Sequence, residues 1–155
     1  MRFPVTNALR RQFLLITAMG SAALLTTGCE TLYAPPHPLE GTSWRLADVE
    51  TSGTSTRLTP ELSARHRLSF QDAGDLQMQL DCNRGNATWS ASSPSGGDGS
   101  ISIGTVASTR ALCPRPTFGE ELAAELPRAT GYSLASDSSS LTIRTQEADY
   151  VFVRD

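Results

Sequence analysis

His66-Arg67-Leu68-Ser69-Phe70-Gln71-Asp72-Ala73-Gly74-Asp75-Leu76-Gln77-Met78-Gln79-Leu80 decides the fold of this chain. On both arms, apolar and polar residues alternate, which is the period of a strand with one buried face. Leu68 and Phe70 share that face on the first arm, with His66 at the rim; Leu76, Met78 and Leu80 share it on the second. Between them, Asp72-Ala73-Gly74-Asp75 forms a turn, with Gly74 free to take a positive φ. Two such arms on a short turn make an antiparallel hairpin.

Working outward, the same alternation recurs. Thr42–Val49 places Trp44 and Leu46 on one face, and Thr51–Thr59 is a polar loop. Cys82-Asn83-Arg84-Gly85-Asn86 interrupts the pattern; its Asn and Gly tolerate left-handed backbone, so a bulge or tight corner is expected. Ala87–Ser90, Ile101–Ile103, Gly131–Ala135, Leu141–Thr145 and Tyr150–Val153 are further short strands, and Ser92–Ser100 is a flexible Gly/Ser/Pro loop. One helix is expected. Thr117 and Glu120 form a capping box, Phe118, Leu122 and Leu126 recur every four residues, and Pro127 ends the run. A helix of about nine residues does not persist alone and must pack on the sheet. The connections are too short for parallel crossovers. The expected fold is mainly β: a small antiparallel β-barrel-like meander with one short α-helix packed on it.

The N-terminus carries a different message. Arg2, Arg10 and Arg11 precede an uncharged run from Phe13 to Leu25, and Leu25-Thr26-Thr27-Gly28-Cys29 closes it. This is the pattern of a signal peptide ending in a lipobox, over residues 1–28, with a run too short for a stable span. Cleavage before Cys29 would leave its thiol as the lipid attachment point, so the expected protein is anchored to a membrane rather than spanning it. Residues 29–38, with Ala34-Pro35-Pro36-His37-Pro38, read as a stiff Pro-rich tether in which His37 is solvated. The domain then occupies residues 39–155. Arg10-Arg11 fits either twin-arginine export or an ordinary basic leader; the ordinary leader is preferred because a disulfide-dependent domain is a poor candidate for folding before export. Glu30, rather than Asp, follows Cys29, which favours the outer over the inner membrane.

The remaining cysteines, Cys82 and Cys113, form an even pair in an exported chain and read as one disulfide. With a loop of this length the chain-entropy model gives roughly 3–4 kcal/mol. A metal site is disfavoured, because no Cys-x-x-Cys or His-x-x-x-His is present and the only histidines are His37 and His66. All thirteen basic residues are Arg, against sixteen acids, and losing the three Arg of the leader takes the formal charge from −3 to −6. Such a balance argues against nucleic-acid binding and against a polybasic membrane patch. Catalysis is equally poorly supplied. His66 sits at the rim of a strand face, Asp72 and Asp75 lie in a turn, and Glu120 and Glu121 suit the first turn of a helix. No phosphate-cradling loop is present, since no Lys follows Gly96-Gly97-Asp98-Gly99.

Three segments together carry a family likeness: Leu39-Glu40-Gly41-Thr42-Ser43-Trp44-Arg45-Leu46, Cys82-Asn83-Arg84-Gly85-Asn86-Ala87-Thr88-Trp89 and Ala107-Ser108-Thr109-Arg110-Ala111-Leu112-Cys113-Pro114. In this order, followed by a short acidic helix, they resemble the META domain (HslJ-like) family over Leu39–Asp155. One departure is Asp81, where the family usually has Gly. The resemblance implies a small β-barrel-like fold with one helix, an accessory or stress-tolerance role in the bacterial envelope, no reaction and no cofactor. Cys82, Asn83, Thr109 and Arg110 match its motifs. Asn83 and Thr109 are expected to satisfy backbone groups at corners, while Arg84 and Arg110 either form an exposed basic patch or engage in surface salt bridges. The expectation is therefore a non-enzymatic, monomeric envelope protein on the periplasmic side, lipid-anchored through Cys29, whose binding surface includes Asn83, Arg84, Thr109 and Arg110. A carrier of small apolar ligands, or an inhibitor of an exported hydrolase using Cys82–Asn86 as its inserting loop, are the alternatives.

Overall fold

A computed structural model describes residues 35–155. The proposed leader and Cys29 lie outside the described residues. Among the described residues, eleven strands form one antiparallel system. They are β1 (Thr42–Thr51), β2 (Thr54–Arg57), β3 (His66–Phe70), β4 (Asp75–Leu80), β5 (Asn83–Ala91), β6 (Asp98–Gly99), β7 (Ile101–Ile103), β8 (Ala107–Ser108), β9 (Gly131–Leu134), β10 (Ser140–Arg144) and β11 (Ala148–Arg154). The strand order is β6-β9-β10-β11-β1-β3-β4-β5-β7, with β2 added to β1 and β8 added to β5. The two ends of that order approach each other where β7 meets β9, so the sheet is a nearly closed barrel.

Strand parity places the core as the alternation requires. Trp44, Leu46, Leu68, Phe70, Leu76, Leu141, Ile143, Tyr150 and Phe152 are all fully buried, and the residues between them face outward. The β3–β4 hairpin pairs His66 with Leu80 and Phe70 with Leu76, and the chain reverses between them at Ala73 (φ +58°) and Gly74 (φ +79°). A Cβ on Gly74 would stand 2.9 Å from the Trp89 carbonyl oxygen, a second reason for glycine there.

Helix α2 (Gly119–Glu125), continued by a 3-10 turn over Leu126–Arg128, closes one end of the barrel with Leu122 and Leu126 fully buried. The capping differs from the sequence expectation. Phe118 is the N-cap residue, and the Thr117 hydroxyl accepts from the Gly119 amide at 3.3 Å, so the helix starts one residue later than a Thr117 cap would set it. Its start lies so close to β4 that a Cβ on Gly119 would be 2.5 Å from the Leu80 carbonyl oxygen.

Three segments depart from the sequence reading. The Thr51–Thr59 loop contains β2, paired with β1, and ends at the single-turn helix α1 (Pro60–Ser63). Thr59 caps that helix from its hydroxyl, Pro60 fills its first turn, and it buries Leu62. Ser92–Ser100 is tied down rather than free: Asp98 accepts from Arg144 at 3.1 Å and from the Ser133 hydroxyl, joining β6 to β9. His37, expected to be solvated, is half-buried. Its Nε2 lies 3.0 Å from the Ser92 carbonyl oxygen, and its ring packs edge-on against Trp89 and Tyr132. The compact body therefore begins at His37. The chain enters it at the barrel end that holds His37, Trp89 and Ser92, and α2 closes the opposite end.

Candidate functional site

The Cys-Asn motif sits where β4 turns into β5. Asp81 takes the corner with φ +64°, a conformation that glycine adopts without strain and Asp tolerates better than most residues. That explains the family's usual Gly at this position. The Asp81 side chain is buried and held by Arg65, whose Nη1 donates to its Oδ1 at 2.8 Å. Beyond the corner the chain is not a protruding loop. Asn83–Ala91 is continuous strand, paired with β4 on one side and with β7 and β8 on the other. Cys82–Asn86 therefore does not form the inserting loop that the inhibitor reading required.

Asn83 is buried and behaves as a surrogate strand. Its Nδ2 donates to the Ala111 carbonyl at 2.9 Å, and its Oδ1 accepts from the Ala111 amide at 2.7 Å. The same oxygen accepts from the Thr109 hydroxyl at 2.9 Å, and that hydroxyl oxygen accepts from the Arg84 amide at 3.1 Å. An amide side chain offers a donor and an acceptor in the spacing of a backbone peptide group, so Asn alone can pair both polar groups of Ala111. The disulfide joins Cys82 to Cys113, with their Cα atoms 5.6 Å apart, and clamps the far end of the same segment. Asn83, Thr109 and the cystine thus fix residues 109–113 against β5 with one covalent and several polar ties.

A cleft of about 420 Å³ lies beside this construction, within the size range of small ligand sites. Val106, Ser108, Thr109 and Arg110 form one wall, α2 forms the other through Gly119, Glu120, Ala123 and Ala124, and Leu80 and Asn83 lie between. A smaller recess of about 80 Å³ adjoins it near Cys113 and Arg115. Leu112 is 97% exposed on the connecting loop, an unusual exposure for a large apolar side chain.

Of the four surface residues proposed from sequence, the structure brings together Asn83, Thr109 and Arg110. Arg84 is separated from them. Strand parity sends its side chain to the outer face of the sheet, beside Arg67, Gln77 and Gln79. Adjacency to the cystine in sequence did not translate into one basic patch, because successive residues of a strand face opposite ways. Among the described residues neither Arg84 nor Arg110 has a carboxylate within 4 Å, whereas Arg45 and Arg67 both pair with Asp155. The α2 wall, Val106 and Leu112 were not found from sequence. The small residues Ala123 and Ala124 carry no chemical signature until β8 is placed opposite them.

The titratable groups elsewhere hold structure. His66 is fully buried; its Nδ1 donates to the Leu62 carbonyl at 2.8 Å, and its Nε2 accepts from the Phe118 amide at 3.1 Å. Burial holds this imidazole below its ordinary range, in the neutral form that these two bonds require. It links α1 to the start of α2. Asp48 accepts from Ser55 at 2.6 Å and from Arg57 at 3.1 Å, and the Ser55 bond is the larger cause of its lowered pKa. Glu121 accepts from the Tyr150 hydroxyl at 2.9 Å, and burial pushes that phenol upward. Among the described residues no three His, Cys, Asp or Glu side chains gather as metal ligands.

The barrel interior is occupied by Trp44, Phe70, Tyr132, Tyr150 and Phe152, which weakens the carrier reading.

The fold has counterparts among solved structures. An NMR structure of a protein from Burkholderia xenovorans is similar at 17% identity and a TM-score of 0.53, over 79% of this chain and 92% of that one. A crystal structure of a DUF4847 family protein from Bacteroides vulgatus is similar at 15% identity and a TM-score of 0.50, over 74% of this chain and 93% of that one. At these identities the likeness is one of fold. No curated protein matches the chain. The META domain family matches residues 37–155, beginning at the histidine that docks onto the barrel. With the Trp44 strand, the Cys-Asn corner and the Thr-Arg-Ala-Leu-Cys segment all in place, the chain belongs to the META domain family.

Proposed function

We propose that this protein is a non-enzymatic, lipid-anchored bacterial envelope protein, of accessory or stress-tolerance type, that binds a partner through the cleft beside Asn83. One observation carries the reading: the chain enters at the His37 end of the barrel, while the cleft and cystine lie at the α2 end. A tether from Cys29 would hold the first end towards a membrane and turn the cleft away from it. The residues best suited to chemistry support a binding role rather than a reaction, since His66 spends both ring nitrogens on backbone groups. Leu112 favours a second reading, in which the cystine-tied loop inserts into an exported hydrolase as an inhibitor.

The test uses the full-length chain in a bacterial host. Alkyne-palmitate should label the wild type, which should fractionate with membranes, and Cys29→Ala should lose both properties. A photo-crosslinker at Ala124, exposed on the α2 wall of the cleft, should give discrete envelope adducts, whereas one at Asp137, in the turn at the opposite end, should not. Absence of labelling defeats the anchor, and equal adduct patterns at the two positions defeat the cleft. Identification of the adduct as a hydrolase would select the second reading.

A further inference from the structure

We propose that the cleft receives an extended, acidic segment of a partner protein, which adds as a strand to the free edge at Val106–Arg110. The proposal rests on the binding role argued above and names the kind of partner.

Register fixes which way the edge faces. Gly85 lies opposite Ser108, and the Thr109 amide donates to the Arg84 carbonyl at 3.0 Å. In an antiparallel ladder, hydrogen-bonded and non-hydrogen-bonded pairs alternate. Residues 107 and 109 therefore direct their backbone groups to β5, and Ser108 and Arg110 direct theirs away from it. Among the described residues β8 pairs with β5 alone. The amides and carbonyls of Ser108 and Arg110 thus form an open strand edge on the wall of the cleft. Open edges recruit extended chains unless they are covered or bent away.

The opposite wall leaves room for a backbone. Ala123 and Ala124 are small side chains, and with the half-buried Val106 they offer apolar surface to alternate side chains of an incoming strand. The edge is also held in advance of binding, because Asn83, Thr109 and the cystine lock residues 109–113 in place. A rigid edge loses little entropy when a segment docks. Charge selects the segment. Arg110 at the cleft and Arg115 at its adjoining recess have no carboxylate within 4 Å among the described residues, and Glu120 is the single acid lining either hollow. A segment with acidic residues facing Arg110 and apolar residues facing Val106 and Ala123 matches both walls.

The probe is a random dodecamer peptide library displayed on phage, selected against the purified full-length protein. Enriched sequences should alternate acidic with apolar or β-branched residues. A synthetic copy of an enriched peptide should bind Ser108→Pro at least about tenfold more weakly than wild type, because proline deletes one outward amide and leaves the inward bonds of residues 107 and 109 intact. Arg110→Glu should weaken it by a similar factor. In the wild-type protein, the Ser108 and Arg110 amides should gain protection from hydrogen exchange on peptide addition, while the Thr109 amide, already bonded, should not change. This second measurement stands even where the proline variant misfolds. Failure to enrich any peptide, enrichment of basic or wholly apolar peptides, or unaltered exchange at Ser108 and Arg110 overturns strand addition. Envelope adducts from a crosslinker at Ala124 that survive Ser108→Pro would overturn it too, leaving the binding role intact; absence of all adducts with Ser108 in place removes the binding role itself.

Discussion

Replacing Asn83 by Asp changes one donor into an acceptor and little else, so it isolates what the surrogate strand contributes. In the native protein Nδ2 donates to the Ala111 carbonyl at 2.9 Å, and Oδ1 accepts from the Ala111 amide and the Thr109 hydroxyl at 2.7 and 2.9 Å. Asn83→Asp keeps both acceptor bonds and strengthens them by charge, a gain of about 1 kcal/mol. It loses the donor bond to the Ala111 carbonyl and the weaker one to the Cys113 sulfur at 3.3 Å, together about 1 kcal/mol, and sets a buried carboxylate oxygen against the Ala111 carbonyl, which costs about 2 kcal/mol as an unsatisfied and repelled acceptor. The net expectation is a loss of about 2 kcal/mol at pH 7.5. With a urea dependence near 2 kcal/mol per molar, that is a midpoint about 1 M lower. Trp44 and Trp89 are buried, so their fluorescence reports the unfolding. The deficit relative to wild type should narrow on acidification, once the new carboxyl is protonated and can donate to Ala111. A variant within 0.5 kcal/mol of wild type at pH 7.5 would show that the loop is held by the cystine alone and would refute the reasoning.

Two further outcomes follow from the same geometry. His66 folds in its neutral form with its pKa below the unfolded value of 6.5, so the unfolded chain binds the extra proton; its stabilisation is complete above pH 6.5 and is lost as pH falls through the folded pKa. Urea midpoints should therefore drop between pH 7.5 and 5.5 in the wild type, and His66→Gln, less stable throughout, should lose that slope; an unchanged slope would place the titration elsewhere. Gly119→Ala should destabilise by about 1–3 kcal/mol although Ala is the better helix former, because its Cβ would stand 2.5 Å from the Leu80 carbonyl oxygen; a raised urea midpoint would contradict the close packing of α2 on β4.

Much of the barrel was legible locally. The alternations around Trp44, Leu68, Leu76 and Ile101 named the buried face of those strands correctly, because successive side chains of a strand point to opposite sides whatever lies beyond. The cystine was legible from the even pair that remains in an exported chain once Cys29 is read as the lipid attachment point. Other features were written in the sequence but passed over: Thr59-Pro60-Glu61 is a helix start, and it opens α1. His37 could not have been placed. A proline-flanked histidine looks solvated until Ser92 and Tyr132, 55 and 95 residues away, come to meet it.

The candidate site divides in the same way. Sequence by itself determined the core faces of the strands around Trp44, Leu68, Leu76 and Ile101, since alternation is local, and it left Cys82 and Cys113 as the pair to join; the polar roles of Asn83 and Thr109 came with the family motifs they match. Only the tertiary structure decided that Arg84 and Arg110 look in different directions, that β8 leaves one edge open, and that two alanines of α2 stand across from it. A cleft is the space between elements distant in the chain. Its width and polarity are set by where non-local contacts bring those elements to rest, and no periodicity within either element encodes that distance.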